Sequence, residues 1–294
     1  KQWWLAGKKD VDQELARLKQ AAAVFRAMVH PDRATRLGRF ANNLRVLDTT
    51  TVTPVVLFLA ERLGCDSDAF LSCLTVIESY LVRRAVCGRS TKAYNRIFPW
   101  LLKRLSEANA PTAELLAAHL QGLSGGETQD WPDDAIFQKA WLELNTYKVL
   151  RTAKTKMLLE ALELGSRNEV HHESTQLPSA ALHVEHVLPV AWEIHWPSPG
   201  DENAVLLRNH LLHNIGNLTL LTAKLNPSLS NSGFGVKRPE ITKSLLALNA
   251  HFQGPIFTVA EPVWDETRIR ERAQALFAVA VRIWPFSVSI SARH

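Results

Sequence analysis

A short apolar segment in the second half of the chain carries three side chains that could do chemistry together. The segment is LHVEHVLPVAW, residues 182–192, which contains His183, Glu185 and His186 and is interrupted by Pro189. A carboxylate beside a neutral imidazole provides one hard oxygen ligand and one base with an ordinary pKa of about 6.5. This pairing is suited to activating a water molecule near a divalent metal ion.

Glu185 and His186 can share one site only under a geometric condition. Consecutive side chains on a β-strand point to opposite faces, so the two groups meet only where a strand is ending. Pro189 predicts such an ending, because proline cannot donate to a strand ladder. We therefore expect a strand that stops close to His186.

A second strand-like run contains the groups that would complete the site. It reads LLHNIGNLTLLTAKLN, with Asn217 at the start of the predicted strand and Asn226 nine positions later. A strand, a turn and the first turn of a helix would bring Asn226 back towards Glu185. Carboxylate and amide oxygens favour magnesium or manganese over zinc.

The elements that must position these groups differ between the two halves of the chain. From about Val11 to Leu164, apolar residues recur at three- and four-residue intervals, which predicts six or more helices. The polar stretch 166–180 is interpreted as a linker. Short β-like runs and a final helix follow it. We predict a mainly α protein, with an all-helical domain over residues 1–165 and a small α+β domain over residues 166–294.

Composition restricts the function only slightly. The net charge of +5 and the isoelectric point of about 9.2 lean towards a polyanionic partner. No stretch approaches the ~20 apolar residues of a membrane span, so we expect a cytoplasmic protein without a membrane partner. Because the chain opens with Lys1 rather than Met, we expect upstream sequence to be missing.

Four short motifs occur in an order that resembles a known nuclease family. They are HVEHVLP, HNIGNLTLL, LN at 225–226 and SNSGFGVK at 230–237. Together they resemble the HNH nuclease domain at the C-terminus of GmrSD-type modification-dependent restriction enzymes and of SspE-like phosphorothioate-DNA defence nucleases. The resemblance spans residues 140 to 290, and the stretch 77–98 resembles the helical region that precedes the nuclease in these proteins.

The resemblance implies a ββα-metal fold in which each site residue has a role. His186 would be the general base, and Glu185 and Asn226 would be the protein ligands of one Mg²⁺ or Mn²⁺ ion. Asn217 belongs to the catalytic set with His186, although its family role is mainly to fix the loop and orient the base. Glu185 stands where many HNH enzymes have aspartate, so the expected metal ligand is the longer of the two carboxylates.

Further polar side chains near the motifs are candidates for contacts to phosphate or for support of the site. They are His183, His213, Lys224, Asn231 and Lys237. Lys237 is the favoured phosphate contact, because it falls in the family-like F-x-x-K. His183 is explained equally well as a partly buried strand histidine. For His213, the sequence favours a position away from the site.

The implied function is metal-dependent nicking of DNA in a prokaryotic anti-phage restriction system. His186 would take a proton from water, and the metal would stabilise charge on the scissile phosphate and on the leaving 3′ oxygen. In the family, an N-terminal domain senses modified DNA and hydrolyses nucleotide, and no sequence here resembles it. Two alternatives stay open: an inactive nucleic-acid-binding module of the same fold, and a helical interaction protein whose polar motif is structural.

Overall fold

The computed structural model describes residues 10–170, 182–222, 231–259 and 262–287. Within these residues the chain is mainly helical, with one small two-stranded sheet, so the predicted fold class is confirmed. None of the helices in these ranges is long and apolar enough to cross a membrane.

Internal contacts divide the chain into two compact units. The first comprises the described residues of 10–81, 90–131 and 287, and the second comprises those of 82–89 and 132–286. The predicted boundary at 165/166 falls inside a continuous helix, Arg151–Val170. Residues 166–170 extend this helix, and the Arg167 Nε donates to Glu163 one turn earlier at 2.6 Å. The remainder of the predicted linker, 171–180, lies outside the described residues.

The first unit is built of helices, as predicted. In chain order they are α1 (Val11–Val29), α2 (Arg36–Val46), α3 (Thr53–Leu63), α4 (Asp68–Val86, whose end belongs to the second unit), α5 (Tyr94–Glu107) and α6 (Ala113–Gln121). Their ends carry the expected signals. The Ser67 hydroxyl accepts from the Phe70 amide before α4, and Gly64 ends α3 with a φ of 82°.

The second unit combines helices with the sheet. Its elements are α7 (Asp134–Leu142), α8 (Thr146–Val149), α9 (Arg151–Val170), β1 (Leu182–His186), α10 (Glu202–Leu211), β2 (Leu218–Thr222), α11 (Phe234–Thr242), α12 (Ala247–Ala250) and α13 (Glu266–Ile283). Both β-like runs of the sequence therefore contain a strand, although Ile215–Asn217 forms a 3₁₀ turn before β2.

The two strands are antiparallel, and helices cover them. Leu182 lies opposite Thr222, and His186, the last residue of β1, lies opposite Leu218. Helix α9 packs against both strands, and α12 packs against β2. A two-stranded sheet is only marginally stable by itself, so these helices must supply the stability that holds the end of β1 in place.

A buried arginine fixes the turn that leads into β2. The Arg272 guanidinium, on α13, donates to the carbonyls of Gly216 at 2.8 Å and Leu218 at 2.7 Å. Burial lowers the Arg272 pKa to about 9, which still leaves the group charged at neutral pH. A buried carboxylate also fixes main chain at the start of α12. The Glu163 side chain, on α9, accepts from the amides of Ala247 and Leu248 and so joins the two helices.

An apolar cluster lies beneath the end of β1 and around the chain that follows it. Its buried members are Val187, Leu188, Trp192, Trp196, Leu211, Leu212, Leu221, Phe234, Ile241, Phe252, Phe257, Trp264 and Ile269. Deeply buried aromatic and aliphatic side chains of this kind each contribute about 2–3 kcal/mol through burial. The residues after β1 are thus held by packing and not by further strand pairing.

Gly216 should not tolerate a side chain. A β-carbon at this position would lie 2.0 Å from the Ile269 carbonyl oxygen, on the backbone of α13. We expect Gly216→Ala to lower the free energy of unfolding by about 3 kcal/mol in urea titrations. Gly235→Ala is the matched control, because a β-carbon there meets nothing within 4 Å and the position is an exposed turn of α11. The control should be neutral or slightly stabilising.

His251 should make the protein less stable in mild acid. Its ring lies among Phe252, Phe257 and Trp264, its Nε2 is buried without a partner among the described residues, and burial lowers its pKa to about 4. The unfolded chain binds this proton near pH 6.5, so stability falls between about pH 6.5 and about pH 4. In His251→Phe, the free energy of unfolding should fall by about 3 kcal/mol less over this pH range than in the wild type. An equal fall in both proteins, measured by urea unfolding across this range, would contradict the assignment.

Candidate active site

Three aromatic rings meet at the end of β1. The His186 Nε2 lies 3.0 Å from the His213 Nδ1. The Tyr147 ring stacks on His186, with centroids 5.4 Å apart and planes inclined by 19°, and its centroid is 5.0 Å from that of His213. The structure therefore corrects the expectation for His213, which lies in the site and not away from it.

Main-chain contacts bring Tyr147 and His213 together across the sequence. The Thr146 amide and hydroxyl both donate to the His213 carbonyl at 3.0 Å. The Asn145 side chain caps the short helix α8, which orients the Tyr147 ring. The Asn214 amide donates to the Leu142 carbonyl at 2.9 Å, at the end of α7. The loop between α7 and α8 is in this way joined to the turn that precedes β2.

Burial keeps the His186 ring neutral. Its pKa is lowered to about 4, first by removal from water and then by His213 and the Lys237 ammonium. Burial also lowers the pKa of His213. Both imidazoles are uncharged at neutral pH, which is the form in which a histidine can accept a proton.

Glu185 is held by a buried lysine. The Lys237 ammonium donates to the Glu185 Oε1 at 2.9 Å and to the His186 carbonyl at 2.7 Å, and the Lys237 side chain is 0% exposed. The expectation that Lys237 contacts phosphate is thereby corrected, because its ammonium is inside the protein and already bonded. The spacing explains this position, since Phe234 and Lys237 lie one helical turn apart on the buried face of α11.

Glu185 and His186 share neighbours although their side chains leave the strand in opposite directions. β1 ends at His186, as Pro189 predicts. Lys237 binds the Glu185 carboxylate and, after burial and His213, also lowers the pKa of His186. Burial and then the Glu185 charge raise the pKa of Tyr147, whose ring stacks on His186. The Glu185 carboxylate and the His186 imidazole thus share Lys237 and Tyr147 as neighbours.

The Asn217 side chain is fully used inside the protein. Its amide nitrogen donates to the carbonyls of Leu188 and Leu212 at 2.9 Å, and its oxygen accepts from the Leu188 amide at 2.8 Å and from the Trp264 indole at 3.0 Å. These four bonds leave it nothing to offer a substrate. Asn217 positions the chain on either side of the site, in line with the loop-fixing role that the resemblance implies.

The remaining candidates lie outside this group or outside the described residues. His183 is exposed on β1, opposite Leu221, and its side chain makes no hydrogen bond to any described residue; Asn231 is exposed before α11. Asn226 and Lys224 belong to 223–230, which the structure does not describe. Tyr147 is the site residue that the sequence reasoning missed, because its contact with His186 depends on α8 and has no local signal.

The donors in the site fit a hard metal ion held by few protein ligands. Within the described ranges, no three His, Cys, Asp or Glu side chains converge as a metal site by themselves. Glu185 offers Oε2, to which no described residue donates, and its side chain is 12% exposed. Magnesium is commonly bound by one or two protein oxygens together with substrate phosphates and water. A single free carboxylate oxygen at a partly open position meets that requirement.

Comparison with known proteins agrees with the motifs. A family model described as GmrSD restriction endonucleases, C-terminal domain, matches residues 131–279, just over half of the chain. The matched range includes α7 to α12, most of α13 and every described residue of the site. The match confirms the resemblance to the GmrSD C-terminal domain that the motifs indicated. A search of curated proteins found no match.

Replacing Asn217 should destabilise the protein through its lost donors. Asn217→Asp keeps the shape but cannot donate to Leu188 and Leu212, which leaves two buried carbonyls facing a carboxylate. We expect a loss of about 3 kcal/mol in urea unfolding. Asn209→Asp is the control, because the exposed Asn209 side chain accepts from the Trp192 indole, a bond that aspartate retains, and makes no other hydrogen bond within the described part of the chain. Equal stability of the two variants would show that the four bonds of Asn217 do not hold the site.

Proposed function

The chain belongs to the family of the C-terminal domain of GmrSD restriction endonucleases, and from this premise we propose that it is an HNH-type, metal-dependent endonuclease that nicks DNA. The observation that carries the proposal is the geometry at the end of β1, where the His186 imidazole lies 3.0 Å from His213 and Lys237 binds both the Glu185 carboxylate and the His186 carbonyl. A partly buried, neutral histidine that follows a carboxylate residue at the end of a strand is an arrangement expected of a general base.

In the proposed reaction, His186 removes a proton from water. The resulting hydroxide keeps the electron pair of the broken O–H bond and attacks phosphorus on the side opposite the 3′ oxygen. The P–O3′ bond breaks, and the leaving oxygen gains its proton from solvent. General-base action of this kind contributes about 10²- to 10⁴-fold to the rate. The low pKa of His186 keeps the ring unprotonated before each turnover.

The second component of the proposal is a divalent ion. The Glu185 Oε2 and the Asn226 amide oxygen would hold one Mg²⁺ or Mn²⁺ ion, which would stabilise charge on the scissile phosphate. Lys237 supports this role of Glu185, because its ammonium binds Oε1, whereas no described residue donates to Oε2. The same ammonium holds the His186 carbonyl, which couples the position of the base to that of the carboxylate.

DNA is the proposed substrate, bound mainly through its phosphates. Contacts from lysine and arginine to phosphate carry little sequence information and weaken as salt releases condensed counterions. The proposal therefore includes weak, salt-sensitive binding and assigns no preference for a particular base modification to the described residues. Selection of phage DNA would fall to the nucleotide-hydrolysing sensor that the family resemblance implies upstream.

Cleavage of supercoiled plasmid tests the proposal. The wild-type chain at low salt with Mg²⁺ or Mn²⁺ should convert plasmid to the nicked form, and EDTA should stop the reaction. His186→Ala should lower the rate at least about 100-fold. His210→Ala should retain activity, because His210 is an exposed histidine on α10 with no part in the site.

The possible failures separate the alternatives. Nicking by His186→Ala at the wild-type rate would remove His186 from the base role, and nicking in excess EDTA would remove the metal. A wild-type chain that binds plasmid without cutting it in either metal would be a binding module. Circular dichroism and urea unfolding of each variant show whether lost activity reflects lost structure. A metal titration of Glu185→Gln tests the metal ligand separately, since the amide should weaken metal binding and raise the metal concentration needed for nicking.

A further inference from the structure

The contact between His186 and His213 restricts which nitrogen can act. The two atoms that face each other are the His186 Nε2 and the His213 Nδ1, 3.0 Å apart. At this distance one of them carries the hydrogen and the other supplies the lone pair. A neutral imidazole has one protonated and one unprotonated nitrogen, so the direction of this bond fixes the tautomer of both rings.

Only one direction leaves His186 a free lone pair. If His213 donated, the His186 Nε2 lone pair would be occupied and its Nδ1 would carry the hydrogen, so neither nitrogen could take a proton from water. If His186 donates from Nε2, its Nδ1 lone pair faces away from the pair and is available.

We propose that His213 is the positioning residue for the general base: its Nδ1 accepts the Nε2–H of His186, so that the His186 Nδ1 takes the proton from water. The inference rests on the proposed function for its catalytic meaning, but the tautomer that it assigns can be measured independently. In the step itself, the O–H bond of water breaks, the proton joins the Nδ1, and the resulting imidazolium keeps its Nε2–H bonded to His213.

His213 is held firmly enough to set this direction. Its carbonyl is bound twice by Thr146, which anchors the residue at the start of α8. The Tyr147 ring packs against both imidazoles, stacked on His186 and tilted against His213. After proton transfer, the His186 cation would keep an acceptor on one edge and an aromatic face stacked on its plane, and both stabilise positive charge.

Two substitutions at position 213 distinguish a role of His213 in orienting His186 from a purely structural role. The Oδ1 of asparagine occupies nearly the place of a histidine Nδ1 and only accepts, so His213→Asn preserves the proposed acceptor. We expect His213→Ala to lower kcat for plasmid nicking about 10- to 100-fold, the range seen when the group that orients a functional histidine is removed. KM should change little, and His213→Asn should recover most of the lost rate. His210→Ala again serves as the control.

Nitrogen NMR of ¹⁵N-histidine-labelled protein measures the tautomer directly. Correlations between ring protons and ring nitrogens distinguish an Nε2–H from an Nδ1–H imidazole. Wild type and His213→Asn should both show His186 as Nε2–H, whereas His213→Ala should show a mixture. Labelled His186→Ala identifies the signals by their loss.

The two readouts keep this inference distinct from the proposed function. A wild-type His186 in the Nδ1–H form would overturn the inference even if the protein nicks DNA. Equal nicking by wild type and a folded His213→Ala would overturn it as well. Failure of wild type to nick DNA in any metal would instead contradict the endonuclease proposal. The NMR result would still decide whether His213 sets the tautomer of His186.

Discussion

The site depends on one buried amide, the side chain of Asn217. It accepts and donates at Leu188, so it fixes the chain just after β1, and through Leu212 and Trp264 it joins that chain to the turn before β2 and to the apolar cluster. Each buried polar group that lost its partner here would cost about 1–3 kcal/mol, so a change in the position of this amide is penalised at several bonds at once. The loop after β1 consequently has a single well-defined path, which β1 and β2 are too short to impose by themselves.

The electrostatics of the site follow from the same burial. A base that stays neutral needs removal from water, but removal from water also penalises the adjacent Glu185 carboxylate. Lys237 resolves this conflict, because its buried ammonium pairs with Glu185 and at the same time lowers the pKa of His186. The lysine would be costly to bury alone, and the carboxylate would be costly to leave unpaired. The two charges and the neutral ring are therefore interdependent.

The sequence predicts the local features of this arrangement and misses the distant ones. The strand positions of Glu185 and His186, and the end of β1 before Pro189, follow from alternation and from the chemistry of proline. The positions of Tyr147 and His213 do not, because they depend on a bond from Thr146 to His213 across 67 residues. The helix Arg151–Val170 was predicted too short for a related reason: the polar composition of residues 166–170 indicated a linker, whereas the ion pair of Arg167 with Glu163 belongs to a helix.

Folding and chemistry are carried by different side chains of the same site, and this division decides which substitutions are informative. Asn217, Lys237 and Arg272 are fully buried and bonded to the main chain, so their loss removes structure before it can reveal any catalytic role. Glu185, His186 and His213 are only partly buried, and their side chains make no hydrogen bond to the main chain within the described residues. Inactivity of a variant in the first set therefore says little about mechanism. Inactivity of a folded His186 or His213 variant identifies a group that acts on the substrate or on the base, because no main-chain hydrogen bond within the described residues is lost with either ring. Glu185 differs, since its removal leaves the buried Lys237 ammonium without its carboxylate partner.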